Sequence, residues 1–132
     1  MRRSAPDAIA LKHRPFWLAA GVAFVALVIH LSLTPRPLDV PSWEGFKVGH
    51  ILAYAWLMFW YAPLYASTAE RLFVGAFLLG LGIALEYVQG MVGRDFSYTD
   101  MRDDGIGVVL GWIVAATPLG KAIAFVEERL AP

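Results

Sequence analysis

A carboxylate and an amide, Glu86 and Gln89, stand three residues apart at the end of an apolar run. A Gly-flanked turn follows, then Arg94, Asp95 and a further carboxylate at Asp100. A charge at hydrocarbon depth costs about 3 kcal/mol at mid-helix on insertion scales, so Glu86 calls for a partner or a function. Upstream, Lys47, His50 and Tyr54 recur at i, i+3 and i+7, a spacing that puts all three on one face of a helix. Several chemistries fit these residue types. Glu86 or His50 can act as general acid or base where burial brings its proton affinity toward neutrality. Lys47 and Arg94 can hold an anionic group such as a phosphate or carboxylate. His50, Glu86, Asp100 and Asp104 offer one nitrogen and several oxygens to a divalent cation. No compact ligand motif accompanies them, so no metal or other cofactor is expected. Ser97 lacks a distinctive Ser-His-Asp ordering and is a poor nucleophile candidate.

The rest of the chain reads as the frame for these residues. Of 132 residues, 58% are hydrophobic and 17% charged. Ordinary globular domains run to about 45–50% apolar and about 25% charged. The apolar excess is gathered in runs, which points to an integral membrane protein. The length allows a single domain over residues 1–132, with roughly four spans of about 20 residues. A net charge of zero gives no reason to expect nucleic-acid binding. With no Cys, disulfides, thiol catalysis and Cys-based metal sites are excluded. The first apolar run lacks a small-residue cleavage pattern and continues as a full-length span, so no cleavable signal peptide is expected.

In order, residues 1–15 form a basic tail with Arg2, Arg3, Lys12, His13 and Arg14 against Asp7. Span one is expected over residues 16–34, with Trp17 as an interfacial anchor. His30, near its far end, reads as a histidine at headgroup level or bonded between helices. Pro35, Pro37 and Pro41 forbid helix in the loop that follows. Span two covers residues 46–66 and is ended or kinked at Pro63. A short polar loop, residues 67–71, makes spans two and three antiparallel neighbours. Span three covers residues 72–90, with Gly75, Gly80 and Gly82 as small positions for close helix approach. Residues 92–104 are expected as a polar loop, and span four as residues 105–126. Gly107 and Gly111 make a GxxxG pair in span four, and Pro118 and Gly120 break it toward an interfacial tail.

Lysine and arginine counts orient the spans. The two termini and the loop at 67–71 share one side, with Arg2, Arg3, Lys12, Arg14, Arg71, Lys121 and Arg129, which is seven. The other side has Arg36, Lys47, Arg94 and Arg102, which is four. The positive-inside rule then puts both termini in the cytoplasm. The start of span two, the end of span three and the start of span four all fall at the outer end. Lys47, His50, Tyr54, Glu86, Gln89, Arg94, Asp100 and Asp104 can therefore converge there. Against this stands a plainer reading for some of them. Lys47, Asp103 or Asp104 can be solvated helix ends, and Arg94 with Asp95 a surface pair worth little.

The order Lys47-x-x-His50-x-x-x-Tyr54, Glu86-x-x-Gln89, Gly93-Arg94-x-Phe96-Ser97-x-x-Asp100 and Gly107-x-x-x-Gly111 resembles the VanZ-like family of small bacterial membrane proteins. The resemblance covers about residues 35–111. Two positions depart from the family pattern: Phe46 stands where an aspartate usually precedes the lysine, and Asp104 where an asparagine is usual. The resemblance implies a cell-envelope protein of the bacterial inner membrane, similar to one associated with resistance to glycopeptide antibiotics, notably teicoplanin. It supplies a recurrent polar set and no catalytic roles.

The expectation is an all-α integral membrane four-helix bundle, both termini cytoplasmic, with a polar cluster at its outer end. Its partners are expected to be membrane lipids and a polar or anionic ligand, lipid-linked cell-wall intermediate or glycopeptide. Two other readings use the same residues: an enzyme acting on a lipid headgroup with Glu86 or His50 as acid–base, and a non-catalytic assembly protein using the glycine faces.

Overall fold

The computed structural model describes residues 11–33, 43–92 and 98–130, with the side chains of 43–47 excepted. Five α-helices follow one another: α1 (Arg14–Leu33), α2 (Trp43–Tyr61), α3 (Thr68–Met91), α4 (Tyr98–Ala115) and α5 (Ala122–Leu130). No strand occurs among the described residues. The Pro-rich loop and the turn that carries Arg94, Asp95 and Ser97 lie outside the described residues, as does the side chain of Lys47.

Local chemistry sets the helix ends. Pro63 offers no N–H and its ring clashes with the carbonyl four residues back. Helix α2 accordingly ends at Tyr61 and closes through a 3-10 turn, Ala62–Leu64. Ser67 then caps α3, its hydroxyl accepting from the Glu70 N–H at 3.1 Å. The polar connection is thus shorter than the sequence reading allowed: Thr68 to Arg71 already belong to α3. At the far end Pro118 opens a second 3-10 turn, Pro118–Lys121, and α5 leaves the line of α4 at 76°.

Two further boundaries correct the sequence reading. Arg14 is not part of the basic tail. It opens α1, and its Nε–H donates to the Leu64 carbonyl at 2.9 Å. Helix α4 starts at Tyr98 and not at Gly105, so Asp100, Arg102, Asp103 and Asp104 lie on helix. Acidic residues in a first turn suit the helix dipole, which lets a segment read as polar loop be helical.

Side-chain contacts fix the helix directions. Trp17 meets Trp60, and Phe24 meets both Trp60 and Trp56, so α1 and α2 run antiparallel. The Trp60 indole N–H donates to the Trp17 carbonyl at 2.9 Å within this aromatic seam. His50 meets Asp104, while the backbone of Ile51 faces Gly107 and that of Ala55 faces Gly111, so α2 and α4 run parallel. Gly82 faces Asp104 and Gly75 faces Val108, so α3 is antiparallel to α4. The core of Tyr54, Leu57, Met58, Ala62, Val74, Leu78 and Val108 lies between α2, α3 and α4. At one end, the backbone N–H of His13 donates to the Glu127 carboxylate at 3.1 Å, tying the start of α1 to α5.

Helices α1 and α3 are each long and apolar enough to cross a membrane, and the bent pair α4 and α5 adds a third span if it counts as one. The apolar part of α2, Val48–Leu64, is shorter. Among the described residues, length and apolarity thus show two or three spans.

Candidate functional site

Helix α2 presents His50 and Tyr54 one turn apart toward α4. Asp104 on α4 faces back. His50 Nδ1 lies 2.8 Å from Asp104 Oδ1. With Asp104 ionised, its carboxylate can only accept, and Nδ1–H is the donor of this bond. The other ring nitrogen, Nε2, then stands 3.8 Å from Asp100 Oδ2, one helical turn earlier on α4. Tyr54 is buried, within electrostatic reach of Asp104 and Glu86. Glu86 and Asp100 also lie within reach of the His50 ring. His50, Tyr54, Glu86, Asp100 and Asp104 therefore come together from three helices.

Close helix approach makes this possible. A methyl group at Gly107 or Gly111 would run into the carbonyl oxygens of Ile51 and Ala55 respectively. Only glycine lets the α4 backbone come this near α2, which brings Asp104 within hydrogen-bond distance of His50. Gly82 does the same on the other side. A Cβ there would sit 2.7 Å from Asp104 Oδ2, so the carboxylate occupies space that any other residue of α3 would fill. Gly75, Gly82, Gly107 and Gly111 all pack inside the chain, whereas a Cβ on Gly80 would meet nothing within 4 Å.

Burial separates these residues from solvated helix ends. Glu86 is 1% exposed, and Asp103 and Asp104 are 2% exposed each. This corrects the plainer reading of Asp103 and Asp104. Asp103 was missed as a site residue. Its Oδ1 lies 3.3 Å from Arg102 Nη2, and its Oδ2 is buried without a hydrogen-bond partner. A signal for it exists: Asp103 precedes Gly107 by one turn, on the stripe that Gly107 and Gly111 continue. The stripe is visible only once α4 is known to begin before Asp103.

Gln89 has a different task. It is buried, and its side-chain amide donates to the Ser32 carbonyl at 2.7 Å. It bridges α3 to the end of α1, at the same end of the molecule as His50 and Glu86. Lys47 belongs to the first turns of α2. Arg94 lies outside the described residues. No group of three or more His, Asp or Glu able to hold a metal ion occurs among the described residues. What the arrangement offers is an oriented imidazole, a buried tyrosine hydroxyl and several buried carboxylates: hydrogen-bonding and proton-exchanging groups at one end of a largely apolar molecule. The chain matches no family model, no curated protein and no solved structure.

Proposed function

We propose that the chain is a VanZ-like membrane protein of the bacterial cell envelope whose buried polar cluster recognises a polar headgroup at the outer face. In this reading the four long helices form a four-span bundle, with both termini in the cytoplasm and the His50 end outside. The observation that carries it is the burial of Glu86 at 1% exposure beside His50, Asp100 and Asp104, at the end of a helix apolar enough to cross a membrane. Buried ionisable groups in such helices are expensive, and they characteristically mark binding or proton-transfer sites.

Lys47 and Arg94 supply cations for an anionic ligand, and the carboxylates supply acceptors for hydroxyl and amide donors. A lipid-linked cell-wall intermediate or a glycopeptide presents both kinds of group. A link to glycopeptide resistance belongs to the same proposal. Its test is the teicoplanin susceptibility of bacteria expressing the wild-type chain, Glu86→Ala or Arg94→Ala at matched membrane levels. Wild type is expected to lower susceptibility and both variants to return it to the control. Folded variants as effective as wild type would overturn the proposal.

One observation favours a second reading, an enzyme acting on a lipid headgroup. Asp104 bonds Nδ1 and orients the His50 ring, an arrangement that leaves the other ring nitrogen for acid–base work. That reading requires turnover of a headgroup analogue that is lost in His50→Gln. The assembly reading needs a face other than Gly75, Gly82, Gly107 and Gly111, because these pack within the chain.

A further inference from the structure

A second feature lies at the opposite end of the molecule from His50. Between α1 and α3 runs an apolar groove of about 400 Å³. That volume falls within the roughly 300–1,000 Å³ of small-ligand sites. Val22, Val25, Phe73 and Phe77 line its length, and Tyr61, Tyr65 and Glu70 also line it. The two walls are the two helices that are individually apolar enough to cross a membrane.

Two arginines stand beside the tyrosine lining this groove. Arg14 lies over the Tyr65 ring, 5.2 Å from its centroid, and its Nε–H bonds the Leu64 carbonyl. The Arg71 Nε–H bonds the Ala62 and Tyr65 carbonyls at 2.9 and 3.1 Å. These bonds anchor each guanidinium by its Nε to one short turn. Among the described residues neither arginine is paired with a carboxylate. An arginine held by neutral carbonyls keeps its full charge, and its remaining N–H groups suit the oxygens of a phosphate. Glu70 is the one acid in the lining. Glu127 lies close by, but it accepts from the His13 N–H and pairs with neither guanidinium, so both arginines can face a phosphodiester.

We propose that this groove is a binding site for an anionic phospholipid: an acyl chain lies between α1 and α3, and the phosphodiester is held by Arg14 and Arg71. The site is independent of the polar cluster around His50 and of the function assigned to it. Basic groups beside membrane helices are a recurrent means of holding such headgroups.

The test is native mass spectrometry of the full chain in detergent, with phosphatidylglycerol and phosphatidylcholine of matched chains offered together. Wild type is expected to retain one phosphatidylglycerol in preference to phosphatidylcholine. The double variant R14Q/R71Q keeps neutral donors for the turn carbonyls and should lose that preference by about tenfold or more. Val22→Trp fills the groove and should abolish retention of both lipids, while Arg71→Lys keeps the charge and should keep the preference. Equal retention of the two lipids by wild type would overturn the proposal without recourse to any variant. So would an unchanged preference in R14Q/R71Q, or unchanged retention in Val22→Trp.

Discussion

Asp104 is held from two sides, by the His50 imidazole at 2.8 Å and by the space that Gly82 leaves open. The two sides make separable predictions. Asp104→Asn keeps an oxygen for the Nδ1–H and should leave the thermal midpoint in detergent close to wild type. Asp104→Leu removes the acceptor and leaves a buried donor unpaired, at a cost of about 1.5–3 kcal/mol. A lowered midpoint for Leu with none for Asn is the expected result. Equal loss in both would mean that the negative charge, and not the hydrogen bond, holds the helices together. Gly82→Ala presses on the same carboxylate from α3 and should weaken the protein without touching His50. At this scale His50, Tyr54 and Glu86 were legible in the sequence, because helical spacing and the cost of a charge in an apolar run single them out. The burial of Asp103 and Asp104 was not. Acidic residues at a helix start look the same whether they face water or a neighbouring helix, and only the approach of α2 and α3 decides between the two.

Among the elements, the contact of α2 with α4 positions the site. Gly111 lies directly against the Ala55 carbonyl, so Gly111→Leu must push the helices apart. Overpacking of this kind costs about 1–3 kcal/mol. Because α2 and α4 run parallel, it should also separate His50 from Asp104 two turns away. The expected result is a lower midpoint together with loss of whatever activity His50 supports. Gln89 is the corresponding tie between α3 and α1. Gln89→Leu deletes one neutral hydrogen bond to the Ser32 carbonyl, with an expected cost near 1 kcal/mol in the same melting assay. The GxxxG pair was readable as a packing face, but its partner was not, since a glycine stripe says how closely a helix can approach and not which helix comes. The start of α4 was misplaced for a related reason. Asp100, Arg102, Asp103 and Asp104 are polar enough to pass for a loop, while the dipole of the helix they begin favours them. The breaks at Pro63 and Pro118 were legible, because proline acts through its own missing N–H and needs no tertiary partner.

Across the whole molecule, the alternating helix directions put His50, Glu86, Gln89 and Asp104 at one end, and Arg14, the Ala62–Leu64 turn and the start of α3 at the other. The proposed orientation is open to a clean test because the chain has no cysteine of its own. A cysteine introduced at Thr68 should react with a membrane-impermeant maleimide only after the cells are opened, whereas one at exposed Tyr98 should react in intact cells. The reverse pattern would place the polar cluster in the cytoplasm. The central claim, that the buried cluster serves a ligand, is tested most directly by measuring teicoplanin binding to the purified chain in lipid nanodiscs, wild type against Glu86→Ala. The account predicts saturable binding that weakens about tenfold or more in the variant, equivalent to about 1.4 kcal/mol, while the variant still melts cooperatively. Binding of equal strength by wild type and a folded Glu86→Ala protein would contradict it.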